Sequence, residues 1–148
     1  MTRPTALLSA VLGLGLALWA SASAAEGALA IGLFNGDPDK GFVIGISKNE
    51  ATAEAARSKA LQDCRGSDIK RTDKARSACK IVETFRDQCA NDAVNGDRNT
   101  PATAVGWAVG PDTATTNARA MAMCETMRRG KGKDCHPDGE PICDGTAK

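Results

Sequence analysis

The amino-acid sequence predicts an α+β fold, in which an antiparallel sheet of about four to five strands carries two helices on one face. Short apolar segments bounded by turn residues indicate the strands, and two alanine-rich segments with helical periodicity indicate the helices. The same order of elements occurs twice, so we expect internally duplicated β-β-α units at about residues 28–86 and 87–143. Six cysteines in two matching triplets indicate that disulfides staple the fold.

Residues 1–24 have the features of a secretory signal peptide. Arg3 supplies the positive start, Ala6 to Trp19 the apolar segment, and Ala22 to Ala24 the small residues of a cleavage site. The apolar segment is shorter than the roughly 20 residues that a membrane-spanning helix needs, although an uncleaved anchor is the alternative. We therefore expect an exported protein, periplasmic or secreted, with a single disulfide-rich domain at residues 25–148 and no membrane span after cleavage.

The expected mature chain carries no net charge. The sequence has 19 basic and 18 acidic residues, and removal of the signal peptide takes away Arg3 and no acid. A balanced charge gives no general attraction to polyanions, so we expect no nucleic-acid partner.

Strands and turns recur in the same order in both halves. Apolar segments at 28–34 and 42–46 flank a loop that begins with Asn35-Gly36-Asp37, and Asn-Gly favours the positive backbone angles of a hairpin turn. In the second half, Asn95-Gly96-Asp97 precedes a strand at 104–109.

Two further strands are predicted between these units. Residues 79–85 and 89–94 have strand character, and we expect them to form a hairpin across residues 86–88. The polar segment 65–78 lacks hydrophobic periodicity, which indicates an exposed loop.

The helical segments are Ser47 to Cys64 and Asp112 to Cys124. Ser47 and Glu50 have the spacing of a capping box, with Asn49 as the alternative cap, and Asp112 or Thr113 caps the second helix. The predicted inner face of the first helix consists of Ala53, Ala56, Ala60, Leu61 and Cys64. That of the second consists of Ala114, Ala118, Met121, Ala122, Cys124 and Met127.

The cysteine triplets suggest a disulfide pairing, although six cysteines allow fifteen. If equivalent positions behave alike, the favoured bonds are Cys64–Cys79, Cys124–Cys135 and Cys89–Cys143. The alternative is a zinc site made of Cys124, Cys135, His136 and Cys143. That spacing matches no common zinc motif and an oxidising compartment disfavours free thiols, so we expect no metal and no cofactor.

The densest basic segment of the chain offers a possible contact surface. It comprises Arg128, Arg129, Lys131 and Lys133. Cations at this position also complement the dipole of a helix end, with Gly130 just past the cap. The loops at 65–78, 95–103 and 128–134 are the expected contact regions, because function often lies on loops held by a rigid scaffold.

Several short motifs carry a family resemblance. They are a strand with Ile-Gly, Ala-x-x-x-Ala-Leu-x-x-Cys at 56–64, Ala-Cys-Lys-Ile-Val-x-x-Phe at 78–85, Gln-Cys-Ala at 88–90, and a Gly-Trp-Ala strand before a helix that ends at Cys124. With these motifs the sequence resembles a family of small exported bacterial domains catalogued as domain of unknown function 4189, over about Ala28 to Cys143. Relatives tend to have Trp or Tyr in the first strand, where this chain has Leu29 and Ile31. The resemblance implies no activity, catalytic residue or cofactor.

The sequence marks no catalytic group. His136 is the one histidine, paired cysteines are not nucleophiles, and no carboxylate pair stands in a motif or an apolar setting. We therefore predict a non-catalytic binding or interaction module of the bacterial cell envelope, whose partner is an unidentified protein or envelope component. The alternatives are a small periplasmic inhibitor or immunity-type protein, or a hydrolase with an unmarked carboxylate pair.

Overall fold

A computed structural model describes residues 26–67, 73–97 and 100–148, so the expected signal peptide lies outside the described residues. The α+β class is confirmed. The strands are β1 Glu26–Leu33, β2 Phe42–Glu50, β3 Lys80–Phe85, β4 Cys89–Val94, β5 Val105–Gly110, β6 His136–Pro137 and β7 Ile142–Cys143. The helices are α1 Ala53–Gly66, α2 Asp73–Ser77 and α3 Thr113–Arg128.

The strands form two antiparallel sheets, where the sequence suggested one. The first has the order β2-β1-β3, and the second has β4 at its centre, with β5 on one side and β6 and β7 on the other. The residues of β1 explain the second layer, because Ala28 and Ala30 lie on one face, Leu29 and Ile31 lie on the other, and all four are buried. A strand that is apolar on both faces must be covered on both.

Each helix covers the outer face of one sheet. Ala28 and Ala30 pack with Ala56 and Ala60 of α1, whereas Leu29 and Ile31 pack against residues of the second sheet such as Ala90. The opposite face of that sheet packs on α3 through Ala93 and Ala120. The layers therefore follow the order helix, sheet, sheet, helix, and the prediction that both helices share one face was wrong.

The first helix begins later than the sequence suggested. Strand β2 continues to Glu50, and Thr52 is the N-cap, with its side chain accepting a hydrogen bond from the Ala55 N–H at 3.1 Å. Ser47 is buried within β2, where its hydroxyl donates to the Ala56 carbonyl at 2.8 Å. The predicted capping box at Ser47 and Glu50 was therefore wrong, because alternate burial keeps this segment in the sheet.

The cap of the second helix was predicted correctly, and its inner face was predicted in part, since Cys124 is buried and Met121 and Met127 pack against the core. Asp112 is the N-cap, and its side chain accepts from the Thr115 N–H at 2.7 Å. The buried residues of α3 are Thr116, Ala120 and Cys124. Three residues of the predicted inner face, Ala114, Ala118 and Ala122, are exposed. Because Ala residues occur on several sides of this helix, their spacing in the sequence does not indicate which side is buried.

The segments between the units also differ from the prediction. Strand β3 pairs with β1, whereas β4 pairs with β5, so β3 and β4 do not form a hairpin. The chain passes from one sheet to the other at Asp87, whose φ is 50°. Within the predicted loop at 65–78, α2 buries Ala75 completely, and residues 68–72 lie outside the described ranges.

Three disulfides join Cys64 to Cys79, Cys124 to Cys135 and Cys89 to Cys143, which is the pairing that the matching triplets favoured. The first two each connect a helix to the extended segment that follows it. The third joins the neighbouring strands β4 and β7, in which Cys89 and Cys143 lie opposite each other. The C-terminal segment from 135 to 143 is thereby held at both ends.

Candidate functional site

The edge of the second sheet is interrupted at its middle. Strand β6 pairs with Ala93 and Val94 at one end of β4, and β7 pairs with Cys89 and Ala90 at the other. Residues 138–141 form a turn between β6 and β7, which leaves the middle of β4 without a regular strand neighbour on this side.

Hydrogen bonds hold this turn in place beside β4. The Asp138 N–H donates to the Asp92 carbonyl at 2.9 Å. The Asn91 side-chain amide donates to the Gly139 carbonyl at 3.2 Å and to the Asn117 side chain of α3 at 2.8 Å. These contacts place Asp138 next to Asp92, although the two are far apart in the sequence.

Asp92 is an acidic residue in the apolar layer between the sheets. It shares a face of β4 with Ala90, which packs against Leu29 and Ile31. Only 8% of Asp92 is exposed. Among the described residues, its carboxylate receives a hydrogen bond from no residue other than Asp92 itself. A largely buried carboxyl group with no cation beside it is costly to ionise, and such groups are frequent at functional sites.

A cleft of about 290 Å³ opens at this carboxyl group. One wall is β2 of the first sheet, and the other is formed by β4, the turn after β6, and β7. The lining residues are Phe42, Val43, Ile44, Ile46, Ser67, Asp92, Asp138 and Ile142. The described lining is therefore apolar except for one serine and two carboxylic acids.

The environment of Asp92 changes its acidity. Burial raises the pKa of the Asp92 carboxyl to about 7, and the neighbouring charge of Asp138 contributes to the rise. Neither acid belongs to an ion pair among the described residues. Asp92 can therefore accept or donate a proton near neutral pH, and it can bind a hydrogen-bond donor that enters the cleft.

The predicted contact cations lie together at the C-terminal end of α3. Arg128 forms ion pairs with Glu125 at 2.6 Å and with Asp134 at 3.2 Å, and Lys133 pairs with Asp97. The other two, Arg129 and Lys131, are exposed. Acidic neighbours thus neutralise half of this cluster, and its role as a contact surface stays a prediction.

The four residues of the alternative zinc site do not form a ligand set. Their three cysteines are all in disulfides. The ring of His136 contacts two carbonyl oxygens, Nε2 to Gly96 at 2.7 Å and Nδ1 to Pro137 at 3.2 Å. Across residues 26–67, 73–97 and 100–148, no group of three or more His, Cys, Asp or Glu side chains could hold a metal ion.

Neither Asp92 nor Asp138 was predicted as a site residue from the sequence. A signal was present, because Asn91 and Asp92 interrupt the apolar strand Cys-Ala-Asn-Asp-Ala-Val, and polar residues in a buried strand need a structural or functional partner. Asp138, the second acid of the site, gave no such signal, because it lies in a polar segment that contains Pro and Gly.

Comparisons with known proteins identify the family. None of the helices in the described part of the chain is long and apolar enough to cross a membrane. No curated protein and no solved structure matches the chain significantly. One family model, that of a domain of unknown function (DUF4189), matches residues 27–138. This match covers most of the chain and includes both halves of the fold, and the protein therefore belongs to the DUF4189 family.

Proposed function

We propose that the protein is a non-catalytic, exported binding module of the bacterial cell envelope, and that the cleft between β2 and the turn after β6 is its binding site. The observation that carries this proposal is Asp92, a carboxylic acid that is 8% exposed and lines a cleft whose described walls are mostly apolar. Binding sites typically combine apolar walls with a few polar groups that orient the ligand.

Export is supported by the disulfides and by the N-terminal segment. All six cysteines are paired, which is typical of secreted and periplasmic proteins and rare in the cytosol. The apolar segment from Ala6 to Trp19, with a basic residue before it and small residues after it, matches a secretory signal.

Binding is favoured over catalysis by the groups in the cleft. Among the described lining residues, Ser67 is the one that bears a hydroxyl group, and no described histidine or lysine of the lining accompanies it to act as a base. The ring nitrogens of His136 are engaged by the carbonyl oxygens of Gly96 and Pro137.

The binding site can be tested by NMR with a library of small fragments added to the mature protein. We expect saturable shifts of the amide signals of Ile44, Asp92 and Ile142, and we expect Ile44→Trp, which fills the half-buried wall, to abolish them. The matched control is Arg129→Ala with Lys131→Ala, which should leave the shifts unchanged. Fragments that instead move the signals of residues 128–134 would contradict the cleft and favour the basic surface.

The two carboxyl groups favour a second candidate, a hydrolase. In this reading Asp92 donates a proton to a leaving group and Asp138 is the second carboxyl, as in enzymes that keep one acid protonated near neutral pH. Turnover of a panel of chromogenic glycosides and esters, lost in Asp92→Asn and kept in Glu140→Gln, would establish this candidate. Absence of turnover across the panel, together with fragment binding, would support the binding module.

The inhibitor or immunity-type reading requires a protein partner. Its natural surface is the cation cluster at the end of α3, where Arg129 and Lys131 are exposed. A tagged protein that captures one partner from a periplasmic extract, and loses it when Arg128, Arg129, Lys131 and Lys133 are neutralised, would support this reading over the cleft.

A further inference from the structure

We infer that the cleft binds a primary ammonium group on an aliphatic stem, such as a lysine side chain or a small alkylamine, with Asp92 and Asp138 supplying the opposite charge. This inference rests on the proposed function and names the chemical class of its ligand. It depends on the charge, the walls and the size of the cleft.

The charge of the cleft is one-sided. Among the described lining residues, the two ionisable ones, Asp92 and Asp138, are both acids, and no described cation pairs with either. An anionic ligand would be repelled by this pair. A purely apolar ligand would cover the Asp92 carboxyl group without adding a hydrogen-bond donor to the one from its own backbone, which is costly. A cation with N–H donors supplies the opposite charge and the hydrogen-bond donors that the anionic and apolar ligands lack.

The walls suit the stem of such a ligand. Phe42, Ile44 and Ile46 of β2 face Ile142 across the cleft. An aliphatic chain buried between these side chains gains roughly 0.8 kcal/mol for each CH₂ group. A strongly hydrated small cation such as Na⁺ would gain nothing from these walls.

The size of the cleft limits the ligand. A volume of about 290 Å³ lies at the lower end of the range for small-molecule sites, which begins at about 300 Å³. This space is suitable for one long side chain or one small amine. A drug-sized molecule or an oligosaccharide would extend beyond it.

Binding of an ammonium group is coupled to a proton. Burial and the charge of Asp138 favour the protonated form of Asp92. No charge opposes this effect on the facing wall, which consists of Phe42, Ile44 and Ile46, or at Trp107, the cross-strand neighbour of Asp92. The ammonium group favours the ionised form, so binding displaces the proton. An alkylamine stays charged up to about pH 10. Affinity should therefore rise by roughly tenfold or more from pH 5.5 to pH 8.

The test uses n-butylamine and, as the uncharged match of the same length, n-butanol. Binding to the mature protein is followed by amide NMR signals of the cleft and by the fluorescence of Trp107, which pairs with Asp92 across the strands. We expect butylamine to bind at least about tenfold more tightly than butanol at pH 8, as one charge-assisted hydrogen bond provides. Asp92→Asn should remove this preference. Glu140→Gln, an exposed acid of the same turn, is the matched control and should keep it.

The outcomes separate this inference from the proposed function. Equal binding of butanol and butylamine, or a preference that survives in Asp92→Asn, would overturn the inference and leave the cleft as a binding site. Failure of both probes and of the fragment library to shift any cleft signal would overturn both.

A second pair of probes identifies the source of the ammonium group. The first probe is lysine amide acetylated at its α-amino group, which keeps the side-chain ammonium, and the second is the matching norleucine compound. If the lysine compound binds more tightly than butylamine and the norleucine compound does not bind, the site is assigned to a polypeptide. Tighter binding of butylamine assigns it to a free amine, and either order supports the shared chemistry.

Discussion

Gly45 of β2 lies directly beneath Ala60 of α1: a Cβ atom on Gly45 would be 2.1 Å from the Ala60 carbonyl oxygen. The same relationship occurs in the second half, where a Cβ atom on Gly106 of β5 would be 2.1 Å from the Ala120 carbonyl oxygen. Neither separation is possible between real atoms. The missing side chains therefore allow each helix to lie close to its sheet.

We expect Gly45→Ala and Gly106→Ala each to destabilise the protein by about 1–3 kcal/mol or more, because the added methyl group forces the helix away from the sheet. Gly66→Ala is the matched control, since Gly66 ends α1 with no atom within 4 Å of the added carbon. Urea unfolding measures all three. A loss for Gly66→Ala as large as for the other two would contradict the close approach.

The buried face of α3 can be tested with two alanines of the same helix. Ala120 is completely buried and Ala122 is exposed, so Ala120→Leu should cost roughly 1–3 kcal/mol through overpacking. Ala122→Leu should be nearly neutral. The thermal midpoints of the two variants measure this difference, and the reverse order would restore the face that the sequence suggested.

Asp92 should make the protein less stable as the pH rises. Its pKa is about 7 in the folded state against an ordinary value of 3.8, so between these values the folded state binds more protons than the unfolded state. The free energy of unfolding therefore falls with rising pH across this window, by up to about 4 kcal/mol at roughly 1.4 kcal/mol per pH unit. Asp92→Asn should flatten this decline, measured by urea unfolding from pH 4 to pH 8. Parallel profiles for Asp92→Asn and the original protein would contradict the buried carboxyl.

The carbonyl oxygens of Pro137 and Gly96 raise the pKa of His136 above its ordinary value of 6.5, since the charged ring can donate to both. This stabilisation is complete below pH 6.5 and is lost as the pH rises through the folded pKa. NMR titration of the ring should give the raised pKa, and His136→Gln should remove this part of the pH dependence. A ring that titrates below 6.5 would contradict these hydrogen bonds.

The disulfides should differ in their contribution to stability. Cys89–Cys143 spans 54 positions, against 15 for Cys64–Cys79 and 11 for Cys124–Cys135. Longer loops restrict the unfolded chain more, so removal should cost about 4 kcal/mol for the first bond and about 3 kcal/mol for each of the others. Urea unfolding of the three double Cys→Ala variants gives the order. Equal losses would show that loop length does not determine the effect.

Local signals predicted local structure well. Asn35-Gly36 adopts the positive φ angles expected of it, 55° and 69°. Asp112 caps its helix, because the short acceptor side chain reaches the N–H of a residue three positions later. The disulfide pairs were predicted from the order of the cysteines along the chain, without knowledge of which residues are in contact. The structure contains the same pairs.

Features that depend on distant residues were harder to predict. Ser47 follows two patterns at once, since its spacing to Glu50 suits a helix cap while its place after Val43 and Gly45 suits a strand. The division into two sheets depends on which strands pair, and β3 pairs with β1 across the whole of α1 and α2. Periodicity within a segment carries no information on such partners.

The candidate site could not be predicted for the same reason. Asp92 and Asp138 meet because β6 and β7 pair with the two ends of β4 and leave a turn between them. Each of those strands has two residues, which is too short to give a periodic signal.

The disulfides are nested, and this bears on how the protein matures. Cys124–Cys135 lies wholly inside the loop that Cys89–Cys143 closes. An oxidant that joined cysteines in the order of their emergence from a translocation channel would form the first bond correctly and then connect Cys89 to Cys124. The native bonds require that this mispaired intermediate be avoided or exchanged. Correct oxidation therefore requires either that Cys89 stays reduced until Cys143 is available or that a Cys89–Cys124 bond is exchanged.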